Sequence, residues 1–120
     1  MKPHQQLEVW KRSFEFVKNV YEVTGAFPSD EKYGLTSQIR RASVSIPANI
    51  SEGAAKNSKK EFVRFLYIAL GSASELDTLI LLSHELKMIE PEKFKTMNNN
   101  LEIIYKMLLG LINRNKNLYS

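Results

Sequence analysis

The sequence predicts an all-α protein, an antiparallel up-and-down four-helix bundle whose second helix is kinked near Pro47. Three observations lead there. Four segments repeat apolar residues at three- and four-residue steps, the period of a helix face. No segment shows the apolar–polar alternation of a half-buried strand. Short stretches containing Gly, Pro, Asn and Ser separate the four segments, and short connections make successive helices antiparallel neighbours. With 120 residues, 43% hydrophobic and 25% charged, the chain is expected to form a single domain over 1–120, frayed at about 1–5 and 114–120.

The first helix is predicted from about Gln6 to Thr24. Leu7, Trp10, Phe14, Val17, Tyr21 and Thr24 share one face, expected to point at the core, and Gly25 and Pro28 stop the helix. The second is predicted to begin after Ser29 as N-cap, with Asp30 and Glu31 in its first turn, where the helix dipole favours acids. Its core stripe is Leu35, Ile39, Ala42, Ile46 and Ile50. Pro47 removes a backbone donor and crowds the carbonyl four residues earlier, which predicts the kink near Ser43 to Ile46. Gly53 and the run AAKNS close the segment.

Ser58-Lys59-Lys60-Glu61 has the form of a capping box. It opens a third helix reaching about Lys87, with Phe62, Phe65, Ala69, Ser72, Leu76, Leu79, Ser83 and Leu86 on its core face. Glu90-Pro91 opens the fourth, with proline at the first helical position, where no donor is lost. Phe94, Met97, Leu101, Ile104, Leu108 and Leu111 are its stripe, and the polar tail from Asn113 is expected to fray. Gly34 and Gly71 lie inside predicted helices at about 1 kcal/mol each relative to Ala, and close helix contact is the expected reason.

The first three helices carry more apolar surface than an isolated bundle needs. Val9, Phe16, Val20, Val23 and Phe27 form a second series on the first helix, and Val63, Tyr67, Leu70, Ser74 and Leu81 do so on the third. The second helix offers Ser37, Val44, Ala48, Ser51 and Ala55, small enough for another helix to approach closely. These faces predict a closed cyclic homo-oligomer, with Val9, Phe16, Val20, Val23, Val44, Ala48, Val63, Tyr67 and Leu70 as interface candidates.

The net charge of +4 is concentrated. Residues 40–64 hold six basic residues, Arg40, Arg41, Lys56, Lys59, Lys60 and Arg64, against Glu52 and Glu61, while the rest of the chain is balanced. Such a local excess suits a polyanion-binding surface, and equally a solvated helix end. These six are the candidate nucleic-acid contacts. Arg40 and Arg41 have a second reading as structural or intersubunit ion-pair partners of Glu52 and Glu75.

Other function classes find no support. There is no cysteine for a disulfide, thiolate site or thiol nucleophile. A bundle diiron centre needs Glu-x-x-His pairs, and neither His4 nor His84 has a Glu three residues before it. No serine sits in a nucleophile motif and no Gly-rich phosphate loop exists. The protein is expected to be no enzyme and to need no cofactor or metal. No apolar run approaches the ~18 residues of a membrane span, and MKPHQQLEVW lacks a signal-peptide core, so a cytoplasmic location without membrane contact is expected.

The strings LEVWKRS, FPSDEKYGLTSQIRRASVSIPANISEG and EFVRFLYIALGSASEL, with their spacing, resemble the 23S rRNA intervening-sequence protein family over about residues 7 to 90. The family's motif positions fall here on Tyr33, Gly34, Gln38, Arg40, Arg41, Pro47, Asn49, Glu52, Gly53, Gly71, Ser72 and Glu75. Ser43 and Ser51 stand where the family often has alanine, and Ala55-Lys56 where Ala or Ser followed by Arg is frequent. The resemblance implies a four-helix bundle assembling as a homopentamer, with no established enzymatic activity. Some members are encoded inside insertions within 23S rRNA genes. A related branch, the accessory variability proteins of diversity-generating retroelements, forms pentameric barrels that bind nucleic acid and a reverse transcriptase. The combined expectation is a homo-oligomer that binds rRNA or other nucleic acid through its basic surface. The alternative is a protein-interaction scaffold for a nucleic-acid enzyme.

Overall fold

The apolar stripes decide how the helices meet. In the computed structural model, which describes residues 1–116, a 3-10 turn over Pro3–Gln6 leads into α1 (Glu8–Thr24), followed by α2 (Leu35–Ala55), α3 (Lys59–Glu85) and α4 (Pro91–Lys116). The described chain contains four α-helices and no strand. It measures 46 × 22 × 21 Å.

Specific pairings show which helix ends lie together. Ser45 and Ser72 hydroxyls are hydrogen-bonded at 2.8 Å, and Gly53 abuts Phe65, so α3 returns along α2 from the turn at Lys56–Ser58. His84 stacks on Phe94 with ring centroids 3.9 Å apart, so α4 returns along α3. Arg40 reaches the last turn of α1, while Pro3 and Leu7 line a cleft with Gly53 and Lys59. The chain start, the α2–α3 turn and the end of α4 therefore share one end of the bundle. The α1–α2 and α3–α4 connections share the other.

The core stripes of α2 and α4 are those expected. Leu35, Ile39, Ala42, Ile46 and Ile50 are buried, as are Met97, Leu101, Ile104, Leu108 and Leu111. On α1 the two apolar series are exchanged. Val9, Phe16, Val20, Val23 and Phe27 fill the core, whereas Phe14 and Tyr21 each remain 45% exposed and Trp10 and Val17 half-buried. Val63 is likewise core, and Leu70 packs against the core from its edge. The face that carries Val9, Phe16, Val20 and Val23 is the one turned toward α2 and α4. Trp10, Phe14 and Tyr21 lie toward the rim, where Trp10 stacks on Phe14 at 5.1 Å and Arg40 covers Tyr21 at 4.4 Å.

α3 is more apolar than its periodicity alone suggests. An 18-residue window of Lys59–Glu85 has a mean hydropathy of 1.5, enough in length and composition to cross a membrane, with a third of it buried here. Packing explains much of this, since α3 lies against both α2 and α4. Its outward side still exposes Tyr67, Ile68, Leu81, Leu82 and Leu86.

The helix boundaries and caps take the following form. A 3-10 turn occupies Ser29–Glu31, and α2 begins only at Leu35, whose N–H donates to Glu31 Oε1 at 3.1 Å, so Glu31 acts as the capping acceptor in place of Ser29. α2 is a continuous helix through Pro47. α3 ends in a Schellman pattern: Met88 N–H donates to Ser83 O and Lys87 N–H to His84 O, with Lys87 at φ 65°. α4 stays helical to Lys116, beyond the expected fray point, and the remainder of the predicted tail, 117–120, lies outside the described residues. At the chain start, where fraying was expected, His4 packs edge-on against Trp10 at 5.0 Å.

Candidate nucleic-acid interface

The three residues Lys56–Ser58 connect α2 to α3, and the tightness of this turn rests on Gly53. A Cβ at that position would stand 2.7 Å from Phe65 Cβ and 3.3 Å from the Phe62 carbonyl oxygen. Only a glycine lets the last turn of α2 sit this close to the first turns of α3. Ser58 then caps α3, its Oγ accepting from Glu61 N–H at 3.2 Å.

The basic side chains are organised on this frame. Lys56, Lys59, Lys60 and Arg64 are all exposed. Phe65, itself buried, offers a ring to two of them: the Arg64 guanidinium lies 4.5 Å from its centroid and the Lys56 ammonium 5.6 Å. Arg64 also donates from Nε and Nη2 to the Glu61 carboxylate at 3.1–3.3 Å. The Glu61 side chain is thus turned toward Arg64. That hydrogen bond, more than the fields of Arg64, Lys56 and Lys60, holds the Glu61 carboxyl below its ordinary range, and it raises Arg64 above its own. Lys59 and Lys60 have no ion-pair partner among the described residues.

The fold does not bring the two arginines of α2 to this cluster. Arg41 lies fifteen residues before Lys56, about 22 Å along the helix at ~1.5 Å per residue. Arg40 is committed to the bundle. Its Nε donates to Thr24 Oγ1 at 2.9 Å and its Nη2 to the Tyr21 carbonyl at 3.3 Å. A cation is well placed there, at the carbonyl end of α1. The arginine–carboxylate pairing expected within the chain is absent among the described residues: Glu52 and Glu75 are exposed and neither lies within 4.0 Å of Arg40 or Arg41. Arg40 found a hydroxyl and a carbonyl instead because the end of α1 faces its side chain. Glu52 contributes only a minor field at Arg64.

The self-association candidates also separate. Val9, Phe16, Val20, Val23 and Val63 are buried within the protomer and cannot meet another chain without unfolding it. Val44, at 41% exposure, Tyr67, at 46%, and Ala48 face outward. Gly71 lies on the same outward side of α3, and a Cβ there would meet nothing within 4 Å. Close contact inside the protomer is therefore not the reason for glycine at 71. The other helical candidate, Gly34, sits at the N-cap of α2 beside the Glu31 carboxylate. Phe65 as a cation platform and Gly53 as the residue that seats it escaped the sequence reading. Phe65 carries an ordinary core-stripe signal, and only the nearness of two cations to its ring distinguishes it.

Comparison with known proteins places the chain in a family. The profile of the 23S rRNA-intervening sequence proteins matches residues 5–110. Among solved structures, a protein of unknown function from the S23 ribosomal protein family of Bacteroides thetaiotaomicron VPI-5482 superposes with a TM-score of 0.82 at 29% identity, covering 94% of this chain and 99% of that one. No match was found among curated proteins.

Proposed function

This chain belongs to the 23S rRNA-intervening sequence protein family, and we propose that it acts as a non-enzymatic homo-oligomer that binds the nucleic-acid backbone through the α2–α3 turn. One observation carries the reading: Lys56 on the α2–α3 turn and Lys59, Lys60 and Arg64 in the first turns of α3 are exposed together, two of them near one buried ring. Lysine and arginine heads on such a frame meet phosphates without reading bases, so binding falls steeply with salt. Association of copies is supported by the apolar outer side of α2 and α3, where Val44, Ala48, Tyr67, Ile68 and Gly71 leave room and surface for a neighbouring helix. In any closed cyclic assembly, symmetry puts every copy of the turn at one level along the axis, so single weak patches become a ring.

The test is a salt titration of binding to a structured RNA, run with wild type and with Lys56, Lys59, Lys60 and Arg64 changed together to Glu. Loss of binding in the variant supports the reading; unaltered binding refutes it. Light scattering at micromolar concentration tests the assembly, and a monomer mass refutes that part. The same outer face supports a second reading, a scaffold for a protein partner such as a polymerase. A stoichiometric partner retained after nuclease treatment in a pull-down would favour it.

A further inference from the structure

Charge is sorted along the bundle in a way the sequence order conceals. Cutting each helix at its midpoint, between residues 15 and 16, 45 and 46, 71 and 72, and 103 and 104, divides the bundle into two ends. The end with the α2–α3 turn holds ten Lys and Arg against four Asp and Glu. The end with the other two connections holds seven against nine. A chain of net charge +4 is thus folded into one half at +6 and another at −2. Composition along the chain could not show this. The excess comes from the chain start, the turn and the end of α4, which are remote in sequence and meet only through the fold.

The meeting point is a cleft of about 430 Å³ lined by Pro3, Leu7, Lys56, Lys59 and Asn115 among others. Arg114 lies beside it, against a neighbouring hollow shared with Leu7 and Glu8. Arg114 and Lys116 are exposed on the last turn of α4, and neither has an ion-pair partner among the described residues. Lys2, at the chain start, is exposed at the same end. Lys106, more than two helical turns further up α4, is already paired with Glu102 at 3.4 Å.

We infer that the polyanion-contacting surface is the whole end of the bundle, with Arg114 and Lys116 of α4, and Lys2, joining the α2–α3 turn as phosphate contacts. This rests on the reading of the turn as a nucleic-acid site and extends it to three residues outside the 5–110 span that the family profile matches. An end 21–22 Å across spans about a dozen phosphates of a duplex, at one charge per ~1.7 Å of duplex axis. Cations spread over that width match a rigid backbone better than a single row would. RNA and DNA duplexes share this chemistry.

The test uses an RNA hairpin and a DNA hairpin of equal stem length, with affinity measured by fluorescence anisotropy across a salt series. Arg114→Gln with Lys116→Gln is compared with Lys93→Gln with Lys95→Gln, which removes two charges from the opposite end of the same helix. The expected result is that the first pair lowers the slope of log affinity against log salt by about two units, about one for each phosphate-binding cation removed, while the second pair leaves it unchanged. Equal effects of the two pairs overturn the inference, since the protein would then respond only to net charge. No effect of the α4 end pair, while Lys59→Gln with Lys60→Gln weakens binding, overturns the inference and leaves the turn reading standing. Binding of neither hairpin by wild type overturns both. The ratio of the two wild-type affinities identifies which duplex the end prefers. All four α4 positions are exposed, and circular dichroism verifies that each variant folds.

Discussion

Gly53→Ala tests the join between fold and site. In the helix interior alanine is favoured over glycine by about 1 kcal/mol, so the bare expectation is a gain. The structure opposes it. The new methyl would stand 2.7 Å from Phe65 Cβ, 3.2 Å from Phe62 Cδ1 and 3.3 Å from the Phe62 carbonyl oxygen. Two of these are not the far ends of flexible chains: one is a Cβ fixed by backbone, the other is backbone. α2 and α3 must part by most of an ångström, and overpacking of this kind costs about 1–3 kcal/mol. The net expectation is a loss of about 1 kcal/mol. For a domain of this size that is a fall of about 4 °C in Tm. Because Phe65 also carries Lys56 and Arg64, the shift reaches the basic turn, and binding to the RNA hairpin weakens beyond what the small stability loss explains. Thermal and urea unfolding followed by circular dichroism, at matched protein concentrations, measure the first effect. A Gly53→Ala protein that is as stable as wild type or more so refutes the close-approach argument.

Gly71→Ala makes the same chemical change on a face where the methyl meets nothing in the protomer, so the protomer gains about 1 kcal/mol from propensity while a neighbouring helix packed there is pushed away; analytical ultracentrifugation should show weakened association, and unchanged association together with a raised Tm would place the interface elsewhere. Lys87 holds a left-handed conformation at φ 65°, and Lys87→Gly should raise stability by about 1 kcal/mol in chemical denaturation, whereas a loss would mean that the lysine side chain contributes contacts of its own. Glu61 is depressed chiefly by the hydrogen bond from Arg64, so the folded state binds fewer protons there than the unfolded chain. Its contribution is therefore complete above the ordinary carboxylate range and is lost as pH falls through the lowered folded value. An NMR titration should place the Glu61 midpoint higher in Arg64→Gln than in wild type, and coincident midpoints would remove the Arg64 pair as the cause.

The helices and two of their core faces were legible because periodicity reports helices directly. Leu35, Ile39, Ala42, Ile46 and Ile50 form a single apolar series with small or polar neighbours, and that series is buried. On α1 two series compete, and nothing in a one-helix pattern says which turns inward. The aromatic set looks the better core by size, yet Val20 is fully buried and Tyr21 is not. The choice belongs to the partner helices, which take in Phe16 and Phe27 along with the valines and leave Phe14 and Tyr21 at the rim. The start of α2 is hard to place from sequence because Ser29, Asp30 and Glu31 all carry capping chemistry: Glu31 does cap, but from four residues before Leu35. The basic window was half legible. Lys56 to Arg64 are neighbours in sequence and in space, while Arg40 and Arg41 belong to the far side of the midpoint, and the contribution of α4 to the basic end depends on topology alone.

The separation of charge between the two ends gives the molecule poles. At physiological ionic strength fields decay over about 8 Å, several times less than the 46 Å length. On the proposed reading, a nucleic acid at the cationic pole is therefore screened from the anionic one, and the excess acid there takes little from the affinity. At longer range and lower salt the two poles act together as a torque, turning the bundle end-on before contact, so orientation during approach is set by the fold rather than by random collision.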